Sequence, residues 1–96
     1  MDADQFNRIS RALADPRRME ILQRIAKDAE VGCSVLTSES DVSQPTMSHH
    51  LKELSAVGLI KTRREAKFCF YQLDRKLWAQ YLAEMRRRIP TGRRKS

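Results

Sequence analysis

The sequence predicts a mainly α-helical fold that contains one small β-hairpin. Apolar residues recur at helical spacing through most of the chain, and from Leu59 the spacing changes to the period of two that is typical of a strand. In addition, a helix with one apolar and one polar face comes immediately before the predicted hairpin. A chain of 96 residues is expected to form one domain with a single small core.

Apolar stripes and helix-start signals mark the first two helices. Phe6, Ile9 and Leu13 form the stripe of the first helix. Asp15-Pro16 then supplies the N-cap and the first-turn proline of a second helix, which is expected to end near Gly32. A broad apolar face, suited to the centre of a small bundle, consists of Met19, Ile21, Leu22, Ile25 and Ala26.

The fourth helix has the clearest boundaries in the sequence. Ser43 is its predicted N-cap, Pro45 lies in its first turn, and Gly58 is its C-terminal stop. The apolar stripe of this helix consists of Met47, Leu51, Leu54 and Val57. The preceding residues 33–40 are poor helix formers, so only a short third helix is predicted there.

The opposite face of the fourth helix carries a row of hydrogen-bonding side chains without a carboxylate. These residues are Gln44, Ser48, His49 and Lys52. Such a row suits base edges and phosphates, although an amphipathic helix by itself is more often a solvated surface helix. The next residue, His50, points about 100° away from His49. It is expected on the flank of the core stripe, hydrogen-bonded to a neighbouring element.

Residues 59–73 are predicted to form the β-hairpin. Apolar residues fall on both faces of its second strand, and three cations lie at its tip: Arg63, Arg64 and Lys67. Asp74 then caps a last helix that runs from Arg75 to Arg88. The apolar stripe of this last helix consists of Leu77, Trp78, Tyr81, Leu82 and Met85.

The charge of the chain favours a polyanionic partner. The sequence has 19 Lys and Arg residues against 12 Asp and Glu residues, a net charge of +7. Nucleic acid and an acidic membrane surface would both fit this charge. Six of the cations fall in Arg86-Arg87-Arg88 and Arg93-Arg94-Lys95, so the rest of the chain is nearly balanced. Residues 1–89 are expected to form the domain and residues 90–96 a basic, disordered tail.

Several classes of protein are disfavoured by what the sequence lacks. It shows no secretory signal and no membrane-spanning apolar run, so a cytoplasmic location is expected. Cys33 and Cys69 are too few and too far apart for a disulfide framework or a Cys-x-x-Cys metal clasp. No glycine-rich phosphate loop or Ser-His-Asp arrangement is visible, so an enzyme is not expected.

The order of the predicted elements is that of a winged helix-turn-helix. In this motif the second helix enters the major groove of DNA, and the hairpin that follows lies over the backbone beside it. Gln44 is then suited to pair with adenine, whereas the hairpin cations would follow phosphates. The candidate DNA contacts are Ser43, Gln44, Thr46, Ser48, His49 and Lys52 of the helix and Arg63, Arg64 and Lys67 of the hairpin.

Four motifs resemble those of the ArsR/SmtB family of bacterial repressors. They are Leu13-Ala14-Asp15-Pro16-Arg17-Arg18, Ser43-Gln44-Pro45-Thr46-Met47-Ser48-His49-His50-Leu51, Gly58-Leu59-Ile60 and Tyr71-Gln72-Leu73. The resemblance implies a symmetric homodimer formed by the first and last helices, two recognition helices one DNA turn apart, and repression relieved by an inducer. The implied dimer interface consists of Phe6, Ile9, Leu13, Leu77, Trp78, Tyr81, Leu82 and Met85.

The chain departs from the metal-sensing members of that family. It has no Cys-x-Cys near the third helix, and its last helix has no His and only Glu84 as a ligand. Soft metals require several thiolates or imidazoles. No metal site and no cofactor are therefore expected, unless Cys33 contributes to a site shared across the dimer, and the inducer is unidentified.

Two alternative functions stay open at this point. Cys33 is a candidate redox thiol, because a position at a helix start would stabilise its thiolate. Its oxidation would then loosen DNA binding. The plainer interpretation is that both cysteines only pack. The chain would otherwise be an architectural module that binds nucleic acid without reading its sequence. Use of the fold as a protein-interaction module is disfavoured by the cationic hairpin tip.

Overall fold

The computed structural model describes residues 1–92, and this range contains five α-helices and three β-strands. In chain order they are α1 (Ala3–Leu13), α2 (Pro16–Ala26), β1 (Val31–Gly32), α3 (Cys33–Ser38), α4 (Gln44–Ala56), β2 (Ile60–Glu65), β3 (Phe68–Leu73) and α5 (Arg75–Arg88). The predicted helical fold with its hairpin is confirmed. Residues 93–96 of the predicted basic tail lie outside the described residues. None of the helices in residues 1–92 is long and apolar enough to cross a membrane.

Side-chain caps fix the starts of four helices. In each case a carboxylate or hydroxyl oxygen accepts a hydrogen bond from the backbone N–H three residues further on. The capping residues are Asp2, Asp15, Ser43 and Asp74. Because the first amides of a helix have no partner within it, each cap satisfies a group that would otherwise depend on water.

The core lies among the helices and the inner face of the small sheet. Its most completely buried side chains are Ile9, Ile25, Met47, Leu51, Leu54 and Leu59. Three of them belong to the predicted apolar stripe of α4. Since that stripe faces the core, the polar row of α4 faces outward.

The second helix is shorter than the sequence predicted. It ends at Ala26 instead of near Gly32, and the chain then forms β1. β1 pairs antiparallel with β3, with Val31 opposite Tyr71 and Gly32 opposite Phe70, and the strand order is β1-β3-β2. This pairing covers an edge of β3 that would otherwise leave backbone groups without partners, which explains why the helix does not continue.

Gly58 turns the chain from α4 into the hairpin. Its φ is +83°, and the N–H groups of Gly58 and Leu59 donate to the carbonyl oxygens of Ser55 and Leu54 at 3.0 and 3.1 Å. These two bonds form a Schellman motif, which requires the left-handed backbone that glycine adopts readily. β2 therefore runs back along α4, and the hydroxyl oxygens of Ser55 and Thr62 lie 3.5 Å apart.

Candidate nucleic-acid interface

A groove between α4 and the β-hairpin contains most of the polar residues that were predicted to contact DNA. We call it the recognition groove. α4 contributes Gln44, Ser48 and Lys52 to its lining, and the hairpin contributes Arg64 and Lys67. The three helix residues are spaced four apart and so form one row along the helix. All five side chains are exposed. One wall of the groove therefore offers hydrogen-bonding groups and the other offers cations.

The alternation of side chains along β2 decides which hairpin cations face this groove. Arg64 lies on the face toward α4, whereas Arg63 lies on the other face. The guanidinium of Arg63 forms ion pairs with Glu30 at 2.8 Å and Glu65 at 2.7 Å. It also lies 4.5 Å from the ring centroid of Phe70. Arg63 thus joins the segment before β1 to the hairpin.

These contacts distinguish Arg63 from Arg64 and Lys67, the two other cations predicted at the hairpin tip. The hydrogen bond from Arg63 holds the pKa of Glu30 below its ordinary value. By contrast, no carboxylate within residues 1–92 forms an ion pair with Lys52, Arg64 or Lys67. The positive charge of the recognition groove is therefore not neutralised by neighbouring acids of the described chain.

Three other predicted contacts, the N-cap Ser43 and two residues of α4, are exposed but do not line the recognition groove. The hydroxyl of Ser43 donates to Oγ1 of Thr46 at 3.0 Å and accepts from the Thr46 N–H at 3.4 Å. His49 is exposed next to His50, which is buried as predicted. Within the described residues Nδ1 of His50 has no hydrogen-bond partner, so the hydrogen bond predicted for this imidazole is not made through that nitrogen.

Several polar residues of the recognition groove were not predicted from the sequence. They are Ser34, Thr37 and Ser38 of α3 together with Ser55 and Thr62. Ser55 lies one helical turn beyond Lys52, so extending the polar row of α4 would have found it. Nothing in the local sequence places α3 beside that row, because the contact depends on the packing of the whole domain.

Both cysteines also line the recognition groove. Cys33 is the first residue of α3 and Cys69 lies in β3, and both are half-buried free thiols. Within residues 1–92, no group of three or more His, Cys, Asp or Glu side chains could hold a metal ion.

The residues predicted for the dimer interface lie on α1 and α5, which pack against each other. The rings of Phe6 and Tyr81 are stacked with centroids 5.1 Å apart, and the hydroxyl oxygens of Ser10 and Tyr81 lie 2.8 Å apart. Phe6, Ile9 and Tyr81 are 8%, 0% and 4% exposed. These three side chains therefore belong to the core of the single chain and lie beneath the exposed surface of α1 and α5.

The other five residues predicted for the interface are half-buried and leave apolar atoms at the surface. They are Leu13, Leu77, Trp78, Leu82 and Met85. Ile89, which follows α5, is a further apolar residue and is 61% exposed. We call this surface the α1–α5 face.

The fold and the recognition groove together define a winged helix-turn-helix protein. Residues 13–63, just over half of the chain, match the family model of a helix-turn-helix domain. An arsenical resistance operon repressor of Staphylococcus xylosus is 35% identical over 74 residues, which cover 77% of this chain and 70% of that protein. An uncharacterised HTH-type transcriptional regulator of Methanocaldococcus jannaschii is 35% identical over 65 residues, which cover 68% of this chain and 73% of that protein.

A solved structure is similar over nearly the whole length. The homodimeric winged helix-turn-helix DNA-binding domain of a Mycobacterium bovis protein superposes with a TM-score of 0.70 and 25% identity, covering 97% of this chain and 89% of that domain. The chain belongs to the ArsR family of winged helix-turn-helix transcriptional regulators.

Proposed function

We propose that the chain is a homodimeric transcriptional repressor that binds a specific DNA operator and is released by an inducer. The recognition groove is the observation that carries this proposal, with Gln44, Ser48 and Lys52 on one wall and Arg64 and Lys67 on the other. α4 would lie in the major groove, where Gln44 is suited to pair with both hydrogen-bonding atoms of an adenine edge. The two hairpin cations would follow the sugar–phosphate backbone.

Residues at the edge of the recognition groove would extend the contact. Ser43 and Thr46 lie at the start of α4, where backbone amides favour a phosphate. His49 is exposed one position after Ser48 and would reach the next phosphate or base edge. Arg63 would not contact DNA directly, because its guanidinium is engaged by Glu30 and Glu65.

The α1–α5 face would form the dimer interface. A 96-residue chain buries only a small core by itself, so covering half-buried side chains such as Trp78 and Met85 would add to its stability. The similar Mycobacterium bovis domain is homodimeric, and the Staphylococcus xylosus relative is named a repressor. A two-fold dimer would present two α4 helices to half-sites about 34–36 Å apart along the DNA.

A repressor of this kind would need no catalytic residue, metal or cofactor to bind its operator. Its place of action would be the cytoplasm, where its DNA target lies. The inducer would have to be recognised without a Cys-x-Cys motif, because the third-helix region contains only Cys33.

The decisive experiment is a fluorescence-anisotropy titration on DNA from upstream of the chain's own gene, with excess random duplex at physiological salt. A specific repressor should prefer its operator to random DNA by about 4–10 kcal/mol. An architectural module would bind both duplexes alike, with the same dependence on salt. Equal binding to every upstream and genomic fragment tested would reject the proposal in favour of that module.

Three variants divide the roles within the recognition groove. Gln44→Ala should cost about 1–3 kcal/mol at one base pair and relax specificity there, whereas Lys67→Ala should weaken binding to all sequences similarly. Lys61→Ala is the matched control, because Lys61 is exposed on β2 but lies on the face away from the groove. The same loss in all three variants would contradict this division of roles.

A further inference from the structure

We propose that Cys33 and Cys69 form a redox-active dithiol site, which a peroxide converts into an intramolecular disulfide, and that this bond weakens DNA binding. The thiol chemistry is independent of the proposed function, and only its effect on DNA binding rests on that function. The sequence has two cysteines, so the pair accounts for every thiol of the chain.

The pairing of β1 with β3 brings the two cysteines together. The strands are antiparallel, and Gly32 lies opposite Phe70. Cys33, the first residue of α3, follows Gly32, and Cys69 precedes Phe70, so the two cysteines flank the last pair of this ladder on the same side. Opposite residues of an antiparallel pair have Cβ atoms about 4.5–5.5 Å apart, whereas a disulfide needs about 3.5–4.5 Å. The two cysteines lie one residue beyond the paired positions, so bond formation requires the start of α3 and the hairpin to bring their Cβ atoms within the disulfide range.

The surroundings of the two side chains agree with this register. Both thiols are half-buried and line the recognition groove. Burial, followed by the nearby Cys33 and Cys69 side chains, raises the pKa of Tyr71 to about 12. One phenol group is thus close to both sulfur atoms, and the open groove gives a small oxidant access to them.

The oxidation is balanced with a peroxide as the only co-reactant. One thiolate attacks the peroxide, the O–O bond breaks, and the sulfur becomes a sulfenic acid while one water is released. The second thiol then attacks the sulfenic sulfur, the S–S bond forms, and a second water leaves. Two thiols are oxidised and one peroxide is reduced to two waters. A reducing dithiol reverses the bond by thiol–disulfide exchange.

The bond would act on DNA binding through the hairpin. In the ladder between β2 and β3, Cys69 lies opposite Arg64, so the two residues move together. Closing the sulfur–sulfur distance to about 2.05 Å would draw this part of the hairpin toward the start of α3. The position of Arg64 relative to Lys52 on the other wall of the recognition groove would then change. DNA binding would weaken, because Arg64 and Lys52 could no longer both reach the phosphates that they contact in the reduced protein.

The first test is the covalent product. The reduced full-length protein, Cys33→Ser and Cys69→Ser are treated with hydrogen peroxide and then analysed by intact mass, thiol titration and non-reducing gel. The wild type should lose two hydrogen masses and both thiols, remain a single chain on the gel, and recover with dithiothreitol. Each serine variant should instead give a sulfenic acid that dimedone traps. A covalent dimer, or dimedone adducts on both wild-type cysteines, would overturn the dithiol site.

The second test is the DNA affinity of the same samples. The oxidised wild type should bind the operator about tenfold or more weakly than the reduced protein, which is within the usual range of coupling between two sites. The two serine variants should bind alike before and after peroxide. An unchanged affinity of the disulfide form would overturn the regulatory effect, and an equal loss in Cys33→Ser would assign it to a single thiol. The mass measurement tests the dithiol site without any DNA. If the protein bound no operator, the proposed function would fail, but the result for the disulfide would still stand.

Discussion

Arg63 and Arg64 follow each other in β2 and lie on opposite faces of the hairpin. Arg64 lines the recognition groove, whereas Arg63 is paired with Glu30 and Glu65. We therefore expect Arg64→Ala to weaken binding to all duplexes and to reduce the slope of affinity against salt by about one, with little change in Tm. Arg63→Ala should lower the Tm and leave the affinity of the folded protein nearly unchanged.

Anisotropy titrations at several salt concentrations and thermal denaturation would separate these two effects. Arg63→Ala and Arg64→Ala serve as controls for each other, because each replaces an arginine by alanine and removes one positive charge. If Arg63→Ala changed the salt slope as much as Arg64→Ala, the ion pairs would not hold Arg63 away from DNA.

Glu84 is a buried carboxylate on α5 that is held by two arginines of the same helix. Its side chain is 10% exposed and accepts hydrogen bonds from Arg87 and Arg88. The two hydrogen bonds from Arg87, and secondarily the one from Arg88, lower the pKa of Glu84 from 4.5 to about 2. The guanidinium of Arg88 also lies 4.2 Å from the ring centroid of Phe6, so this network connects α5 to α1.

The lowered pKa of Glu84 predicts a stability contribution that depends on pH. A carboxyl group with a lowered folded-state pKa stabilises the fold above its ordinary pKa and loses that effect as pH falls toward the folded-state value. Glu84→Gln should therefore have a lower Tm than the wild type at neutral pH, and the difference should shrink between pH 4.5 and about 2. Glu20→Gln, at an exposed position on α2, is the control. A difference in Tm that stayed constant over this range would disprove the role of the Glu84 charge.

At the scale of elements, the end of α4 depends on one glycine. A Cβ atom at Gly58 would lie 3.0 Å from Cδ2 of Leu77, and the φ of +83° is unfavourable for residues with a side chain. Gly58→Ala should therefore destabilise the fold by about 1 kcal/mol or more in urea denaturation. Gly92→Ala is the control, because no heavy atom lies within 4 Å of its Cβ position. Equal stability of the two variants would show that the Schellman motif tolerates a side chain.

Elements with local boundary signals could be predicted from the sequence, and elements set by distant pairing could not. The start of α4 after Ser43 and its end before Gly58 were predicted because the cap and the glycine act within the helix itself. The end of α2 at Ala26 was missed, since it depends on the pairing of β1 with β3. A two-residue strand has too few positions to show a period.

The same distinction holds for the recognition groove. Helical spacing predicted the row of Gln44, Ser48 and Lys52, because neighbours on a helix face are fixed by the helix itself. The ion pair between Arg63 and Glu30 could not be predicted, because these two residues approach each other only through tertiary structure. For the same reason the sequence showed the two cysteines as separate thiols, although Cys33 and Cys69 line one groove.

At the scale of the whole molecule, the two candidate interfaces occupy different elements. The described lining of the recognition groove comes from α3, α4, the hairpin and the Gly32 end of β1, without a residue of α1 or α5. The α1–α5 face would therefore be free to join two copies while each copy keeps its groove open. A dimer made in this way would bind two half-sites at once, and its affinity would exceed that of one chain because the second contact becomes intramolecular.

Leu82→Glu tests whether the α1–α5 face is the dimer interface, at the residue of this face that contributes least to the core of the single chain. Leu82 is half-buried, whereas Leu77, Trp78 and Met85 are packed against the core. A charge on the α1–α5 face should dissociate the dimer, because an unpaired carboxylate is costly to bury. Sedimentation velocity should then show a monomer with unchanged circular dichroism, and affinity for the full operator should fall by about 10²–10⁴.

The matched control adds the same charge on the same helix without removing an apolar group. Gln80→Glu changes an exposed position of α5 and should leave both the dimer and its operator affinity intact. A Leu82→Glu protein that still sediments as a dimer would place the interface elsewhere. A monomeric Leu82→Glu protein that binds a full operator as tightly as the wild type would instead show that one recognition groove is enough, and the two half-sites would then be independent.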